Sequence, residues 1–419
     1  MQLKTILNQV TDYKSFVFDK ISSRVGEEGQ SVLDVPIRPR SNGQVVCSGC
    51  GHVAPLYDQA AQPRRFEFVP LWGILIFFVY RMRRVNCSGC GVRTERVPWS
   101  EGKSPTTLEY QWYLARWAKR MSWKEVAECF RVSWDRVYGA VRHAVDWGLA
   151  HRCLDGIESI GVDEVQWSKG HHYQTVVYQI DEGQKRLLWV GADRKAKTLL
   201  RFFRFLGKTR TSQLQFVCSD MWQAYRKVIA KKASQAVHVL DRFHVMQRLG
   251  KAIDKVRAAE VKQLEADGYE PVLKGSRWLL LKRPENLTAK QAVKLSALLQ
   301  YNLKSVRSHL MKEDFQRFWE YWSPAWAGKF LDQWCSRAMR SKIEPMKKMA
   351  RSLREKRELL LNWFRAEGKI SAGIVEGFNN KLKLVTRKSY GFRTQEGYET
   401  ALYHNLAALP EPKLTHEFV

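Results

Sequence analysis

The stretch SIGVDE at residues 159–164 decides the fold, because it is a strand-like apolar run that ends in acidic residues. A second apolar run, LQFVCSD at residues 214–220, also ends in an aspartate. Asp163 and Asp220 therefore lie on two candidate strands, and Glu376 lies in a late helical segment. Two aspartates on neighbouring strands and a glutamate on a helix can hold two divalent cations for in-line displacement at a phosphodiester. The three carboxylates are thus candidate metal ligands and catalytic residues.

Residues 157–244 alternate strand and helix patterns around these aspartates. Three strands come first and are followed by helix, strand, helix and strand. The strands are predicted at 157–165, 173–180, 187–191, a run ending at 218, and 236–240, and the helices at 196–206 and 221–231. This is the element order of a ribonuclease-H-like α/β fold, in which the strands of Asp163 and Asp220 are adjacent and parallel. Strand alternation puts Glu164, the rival ligand, on the opposite face from Asp163.

Charge indicates the kind of partner. The 419 residues contain 70 lysines and arginines against 42 acidic residues, a net charge of +28, which favours a nucleic-acid partner. A membrane is the competing explanation, but the most apolar run, Val69 to Tyr80, is too short to span a bilayer and contains Pro70 and Gly73. No signal peptide is visible, and we expect a cytoplasmic protein without membrane contact.

Four of the eight cysteines form two identical pentapeptides, CSGCG at residues 47–51 and at residues 87–91. The pairs are separated by 36 residues. The four thiolates of Cys47, Cys50, Cys87 and Cys90 would complete one tetrahedral zinc site, which predicts a structural zinc ribbon over 41–99. The alternative is a set of buried or redox-active cysteines, which the duplication disfavours. The preceding segment, 1–40, is expected to be loosely ordered.

Residues 104–150 are predicted to be helical and to form a helix-turn-helix. Ser122 is a good N-cap with Glu125 three residues later, and Ser133 caps the next helix. The second helix of such a motif enters the major groove of DNA with its N-terminal residues at the base edges. The predicted DNA-binding residues here are Ser133, Trp134, Arg136 and Arg142. A plain helical linker is the alternative.

The helix of Glu376 has a polar stripe. At 100° per residue, Glu376, Asn380, Lys383 and Arg387 share one side. The apolar residues of this helix occupy the other side; they are Ile374, Val375, Phe378, Leu382 and Val385. The stripe predicts a metal ligand beside groups that grip DNA phosphates, and the alternative is an ordinary solvated face.

Asp241 and His244 form a further motif, directly after the last predicted strand. They are either a helix cap with a hydrogen-bonded histidine or a functional pair near the metals.

The order of these parts resembles the ISL-three group of insertion-sequence transposases. The resemblance runs from about Cys47 to Tyr403, and its specific stretches are IGVDE (160–164), CSDMW (218–222), DRFH (241–244), RWLLL (277–281) and EGFNNKLK (376–383). It implies that Asp163, Asp220 and Glu376 bind the catalytic Mg²⁺ or Mn²⁺.

The same resemblance assigns catalytic support to Asp241 and His244, and places a basic residue at Lys383. It implies a catalytic domain over 157–244 and 346–405, interrupted by a helical insertion at 245–345. Five tryptophans there (278, 319, 322, 326 and 334) have spacings suited to helix packing. The implied partner is double-stranded DNA, both transposon ends and target, bound by a homodimer or higher oligomer.

Three functions are compatible with parts of this sequence. The first is a transposase that cuts element ends and joins the 3′-hydroxyls to target DNA. The second, a zinc-ribbon and helix-turn-helix transcription regulator without catalysis, explains the first 150 residues but gives no reason for Asp163, Asp220 and Glu376. The third is a catalytically silent relative that only binds DNA, which the intact triad disfavours.

Overall fold

Two compact units make up the computed structural model of this protein: Met1–Arg152 with Lys388–Val419, and Cys153–Arg387. The structure describes residues 3–11, 13–27, 29–168, 170, 172–269, 272–366, 372–389 and 391–413, and for 372–376 and 379 the backbone alone. The predicted domain boundaries stay predictions. The unit division differs from them in one respect, because it groups the last helix with the first unit and not with the catalytic region.

The first unit begins with a helix and eight strands that form two sheets. These elements are α1 (Leu3–Val10), β1 (Phe16–Phe18), β2 (Ser22–Val25), β3 (Ser31–Pro39), β4 (Leu56–Gln59), β5 (Arg64–Leu71), β6 (Ile74–Tyr80), β7 (Arg83–Cys87) and β8 (Gly91–Thr94). One sheet has the order β1-β3-β6-β5, with β2 also paired to β3, and the other has the order β4-β7-β8.

The expectation of a loosely ordered start is wrong. Strands β1 to β3 belong to the five-stranded sheet, and their Phe16, Phe18, Val35 and Ile37 are buried in an aromatic-rich core. Pro36 itself lies within β3, opposite Val79 of the parallel strand β6, and its carbonyl oxygen accepts a hydrogen bond from the Asp19 N–H. Of the 36 residues between the cysteine pairs, the 15 that form β5 and β6 belong to this larger sheet and not to the small cysteine-bearing sheet.

Three helices follow as predicted, α2 (Leu108–Arg120), α3 (Trp123–Phe130) and α4 (Trp134–His151). Ser122 and Glu125 form a capping box at the start of α3, and the Ser133 side chain accepts a hydrogen bond from the Arg136 backbone N–H. Helix α3 ends at Arg131 in the left-handed conformation, which makes the tight turn into α4.

The second unit contains the expected five-stranded sheet. Its first elements are β9 (Ser159–Ser168), β10 (His172–Ile180), β11 (Lys185–Gly191), α5 (Ala196–Leu206), α6 (Lys208–Ser212), β12 (Phe216–Ser219), α7 (Gln223–Lys232) and β13 (Val237–Leu240). The sheet order is β11-β10-β9-β12-β13, with β9 parallel to β12. This is the ribonuclease-H-like order, and it confirms the prediction that the strands of Asp163 and Asp220 are neighbours.

The rest of the second unit is helical where it is described. It contains α8 (Arg242–Ala266), α9 (Arg277–Leu281), α10 (Ala289–Leu299), α11 (Lys304–Gln316), α12 (Pro324–Arg340), α13 (Glu344–Glu355), α14 (Arg357–Arg365) and α15 (Ala372–Lys388), with 3-10 turns at Pro284–Asn286 and Arg317–Glu320; α16 (Gln395–Leu406) belongs to the first unit. The prediction that the five tryptophans of this region pack between helices is wrong for three of them. Trp319 and Trp334 are buried, whereas Trp278, Trp322 and Trp326 are exposed.

Candidate active site

Parallel strands β9 and β12 bring Asp163 and Asp220 to the same edge of the sheet. Ser219 pairs with Val162, so the next residue on each strand is an aspartate at the same level. Cys218 likewise pairs with Gly161, and alternation from this pair puts both aspartates on one face. Asp163 is buried, and its Oδ1 accepts a hydrogen bond of 2.7 Å from the Glu164 N–H. Asp220 is half-buried, and its Oδ1 accepts one of 2.9 Å from the Trp222 N–H.

Asp241 and His244 lie beside this pair. The buried Asp241 caps α8, because its Oδ1 accepts from the Phe243 N–H at 2.8 Å. The cap places His244 Nε2 at 3.4 Å from Asp163 Oδ1 and at 3.8 Å from Asp241 Oδ2. Burial lowers the pKa of His244, but the carboxylates of Asp163, Asp241 and Asp220 outweigh it and raise that pKa to about 8. Asp241 therefore is a helix cap, and His244 also lies close to the carboxylates of Asp163 and Asp241.

Glu164 points to the other face of the sheet. It pairs with Thr175 on β10, whereas Asp163 pairs with Val176, as strand alternation predicts. Its Oε1 lies 2.5 Å from Arg194 Nε. Burial raises the pKa of Glu164 to about 7; Arg194 opposes the rise, and Asp220 and Asp163 add to it. Glu164 thus interacts electrostatically with Asp163 and Asp220, although it lies on the opposite face of the sheet from Asp163.

Two residues near the aspartates were not assigned a role from the sequence. The guanidinium carbon of Arg194 lies 4.7 Å above the Trp222 ring, so Arg194 contacts both Glu164 on β9 and the indole that follows Asp220. Arg194 stands in the loop after β11, where no local pattern marks it. Trp222 belongs to the CSDMW stretch (218–222) that carries the family resemblance, and this stretch could have marked Trp222 from the sequence.

Helix α15 packs on the face of the sheet that carries Asp163. Phe378 stacks on Tyr178 of β10 with ring centroids 4.3 Å apart, and Tyr178 pairs with Gly161, two residues before Asp163. Phe378, Leu382 and Val385 are buried, and Asn380, Lys383 and Arg387 are exposed, which confirms the amphipathic pattern for these residues. Glu376 lies on α15, but its side chain, like those of Ile374 and Val375, is outside the described residues.

The donor atoms around Asp163 fit a hard divalent cation. Asp163 and Asp220 offer carboxylate oxygens, the ligands that Mg²⁺ and Mn²⁺ prefer. The raised pKa values of His244 and Glu164 have a common contribution, the crowding of negative charge around these two aspartates. A bound cation would neutralise that charge.

The four pentapeptide cysteines form a separate cluster in the first unit. Their sulfur atoms all lie within 4.8 Å of one another. The Gly49 N–H donates to Cys47 Sγ at 3.4 Å, and N–H groups of Cys50 and Gly49 lower the pKa of the Cys47 thiol to about 7. Gly51 and Gly91, which follow the two pairs, have φ of +74° and +70° and supply the left-handed turns. Four convergent sulfurs fit one tetrahedral zinc ion, so the donor set matches the prediction.

The four predicted DNA-binding residues of α4 are exposed, but each of their side chains already has a contact within the first unit. Ser133 Oγ caps the helix, Arg136 Nη1 lies 2.5 Å from Glu67 Oε2, and Arg142 Nη1 lies 2.9 Å from Glu396 Oε1. Trp134 stacks on Tyr138, with centroids 5.4 Å apart. Their contact with DNA stays a prediction.

Comparison with known proteins identifies the family. A family model described as a transposase matches residues 160–402, more than half of the chain. The chain belongs to the ISL3 family of transposases. A second model, described as the helix-turn-helix domain of transposase family ISL3, matches residues 95–145, which include α2, α3 and most of α4. ISL3 membership makes the chain a DNA-binding enzyme, and it decides against a regulator without catalysis.

Two curated relatives agree with this family. The transposase for insertion sequence element IS1001 of Bordetella parapertussis is 30% identical over 373 residues, covering 88% of this chain and 90% of that protein. The transposase for insertion sequence element IS1557 of Mycobacterium tuberculosis is 29% identical over 385 residues, covering 86% of this chain and 85% of that protein. Among the described residues, no helix is long and apolar enough to cross a membrane.

Proposed function

We propose that this ISL3-family transposase binds the terminal inverted repeats of an insertion sequence, cleaves the DNA there and transfers the 3′-hydroxyl ends to target DNA. The observation that carries the proposal is the pairing of β9 with β12, which sets Asp163 and Asp220 at one level and on one face. Asp241 and His244 stand beside them. We propose that this activity takes place in the bacterial cytoplasm, at the nucleoid.

Asp163, Asp220 and Glu376 would hold Mg²⁺ or Mn²⁺. When bound, a pair of such ions activates the attacking oxygen and stabilises the leaving oxygen of a phosphodiester. Asp241 fixes the first turn of α8 and thereby holds the His244 imidazole against Asp163. Arg194 holds Glu164 and Trp222, the neighbours of the two aspartates, so these carboxylates are positioned before a cation arrives.

DNA recognition is divided between the two units in this proposal. The helix-turn-helix would read the terminal repeats through the exposed start of α4, with Ser133, Trp134, Arg136 and Arg142 as the contact residues. The exposed side of α15 would grip phosphates near the scissile bond through Asn380, Lys383 and Arg387, because these groups share one helix face. The cysteine cluster would hold a structural Zn²⁺ with all four positions filled. A homodimer or higher oligomer would hold two element ends together.

The test is DNA cleavage by the full-length protein with Mg²⁺ or Mn²⁺, using a plasmid that carries the DNA flanking the gene. Asp163→Asn, Asp220→Asn and Glu376→Gln should each abolish cleavage and strand joining while leaving end binding within about twofold, since each change removes a ligand charge and little volume. Glu182→Gln is the matched control, because Glu182 is exposed and lies away from β9, β12 and α15 in the sequence.

A variant of the triad that cleaves at the wild-type rate would remove that residue from the site. End binding without cleavage by the wild-type protein, under all metal conditions, would favour the catalytically silent relative.

A further inference from the structure

A basic groove runs between α5 and α7 on the second unit. It has a volume of about 570 Å³, and its apolar floor includes Leu200 and Val228. Four exposed cations line it, and the described lining contains no acidic residue; the cations are Arg204, Lys227, Lys231 and Lys232. The sequence contributes to this directly, because α5 and α7 carry three and four basic residues and no acidic one.

None of these four cations has an ion-pair partner among the residues that the structure describes. A second groove, in the helical insertion, gives the contrast. Two of its three arginines stand beside an acid: Arg337 pairs with Asp314, and Arg317 Nη1 lies 3.8 Å from the same carboxylate. Charge in the insertion groove is therefore partly balanced within the protein, whereas the α5/α7 groove keeps an uncompensated positive field that attracts a polyanion.

The α5/α7 groove reaches the catalytic edge of the sheet. Trp222 lines it, and the Trp222 N–H donates to Asp220 Oδ1 at 2.9 Å. Arg194 covers the indole ring from the side of Glu164. Because α7 has 10 residues, the groove extends about 15 Å from this point, a length that matches roughly four phosphates of one strand.

We propose that the α5/α7 groove is the site that holds the backbone of the target DNA duplex during strand joining. This inference rests on the proposed function. Lysine and arginine side chains on an apolar floor grip phosphates and read no base edges, which suits a duplex of arbitrary sequence. Recognition of the element's ends needs sequence readout and belongs to the helix-turn-helix. Trp222 lines one end of the groove, and its N–H donates to Asp220 Oδ1, so this end of the groove lies next to a candidate metal ligand in the chain.

The experiment uses the full-length protein with all four groove cations changed to alanine. Its matched control removes one arginine and three lysines from the exposed side of α8: Arg248, Lys251, Lys255 and Lys262. Binding to a short duplex of arbitrary sequence is measured against salt concentration. Joining of pre-cleaved element ends and cleavage of intact ends are measured separately, and thermal unfolding checks the fold. A milder pair, Lys231→Ala with Lys232→Ala, tests the same surface if the fourfold variant unfolds.

The expected result is a salt slope that falls by about 3 to 4 units, at roughly 0.9 per phosphate contact. End joining should fall tenfold or more while end cleavage and end binding stay within about twofold, and the control should keep wild-type values. An unchanged slope with unchanged joining would overturn the proposal, as would an equal loss of end cleavage and joining, because the groove would then hold the element's end. The arbitrary-duplex slope needs no catalysis, so it remains informative even if the triad variants show that the proposed function is wrong.

Discussion

Arg194 Nε lies 2.5 Å from Oε1 of Glu164, the residue that follows Asp163 on β9. The same guanidinium lies over the ring of Trp222, which caps the turn after Asp220. One side chain from the loop after β11 therefore connects the two chain segments that supply the candidate metal ligands. We expect this connection to hold the two aspartates at a fixed separation.

Arg194→Gln should lower DNA cleavage roughly tenfold at limiting Mg²⁺, because the aspartates lose a support and metal binding must restore their geometry. Higher Mg²⁺ should recover much of the loss, and Arg194→Lys should recover part of it. Cleavage rates over a Mg²⁺ titration give the measurement, with Arg248→Gln as the control. An unchanged Mg²⁺ dependence would leave Arg194 a purely structural residue.

Metal analysis of the purified protein should find about one zinc per chain. Cys47→Ser or Cys87→Ser should abolish it and unfold the β4-β7-β8 sheet, whose small core contains these cysteines. The aromatic core of the five-stranded sheet is a separate cluster and should persist. Hydrogen exchange resolves the two sheets, and exposed Cys129→Ser is the control. Stoichiometric disulfides without zinc under reducing conditions would contradict the zinc site.

Arg136→Ala has two expected effects that a double variant separates. Glu67 is buried and Arg136 pairs with it, so the single change should destabilise the first unit by about 1–3 kcal/mol, lessened because Arg136 is partly exposed. Adding Glu67→Gln should restore most of that stability. If Arg136 also reads a base, affinity for the terminal repeats stays reduced in the double variant. Full recovery of both stability and affinity would assign Arg136 to the ion pair alone.

Lys383→Ala tests the polar stripe of α15. The change should leave folding intact, because Lys383 is exposed, but lower cleavage and strand joining. The salt slope of DNA binding should drop by about 0.9, the value of one phosphate contact. Lys381→Ala is the matched control, since Lys381 is also exposed but lies outside the stripe. Wild-type joining with an unaltered slope would show that this face is only solvated.

Local features were predictable because they depend on residues close together in the chain. The helix-turn-helix helices begin at Ser122 and Ser133 through capping bonds that span three residues. The alternation around Asp163 correctly put Glu164 on the opposite face. The tryptophans show the limit of such patterns. Spacing predicts helix packing for both Trp322 and Trp334, but Trp322 lies in the bend before α12 and is 97% exposed, against 1% for Trp334.

The sequence by itself determined the element order of the catalytic region, the two aspartates of the strand-like runs, the cysteine quartet and the helix-turn-helix. Each of these features can be recognised from side-chain periodicity, a helix cap or a short motif. Only the tertiary structure decided that residues 31–39 pair in parallel with residues 74–80, that Arg194 joins Glu164 to Trp222, and that Arg136 neutralises Glu67. These contacts join residues distant in the chain, and their free energy comes from burial and charge pairing that exist only once the sheets have formed.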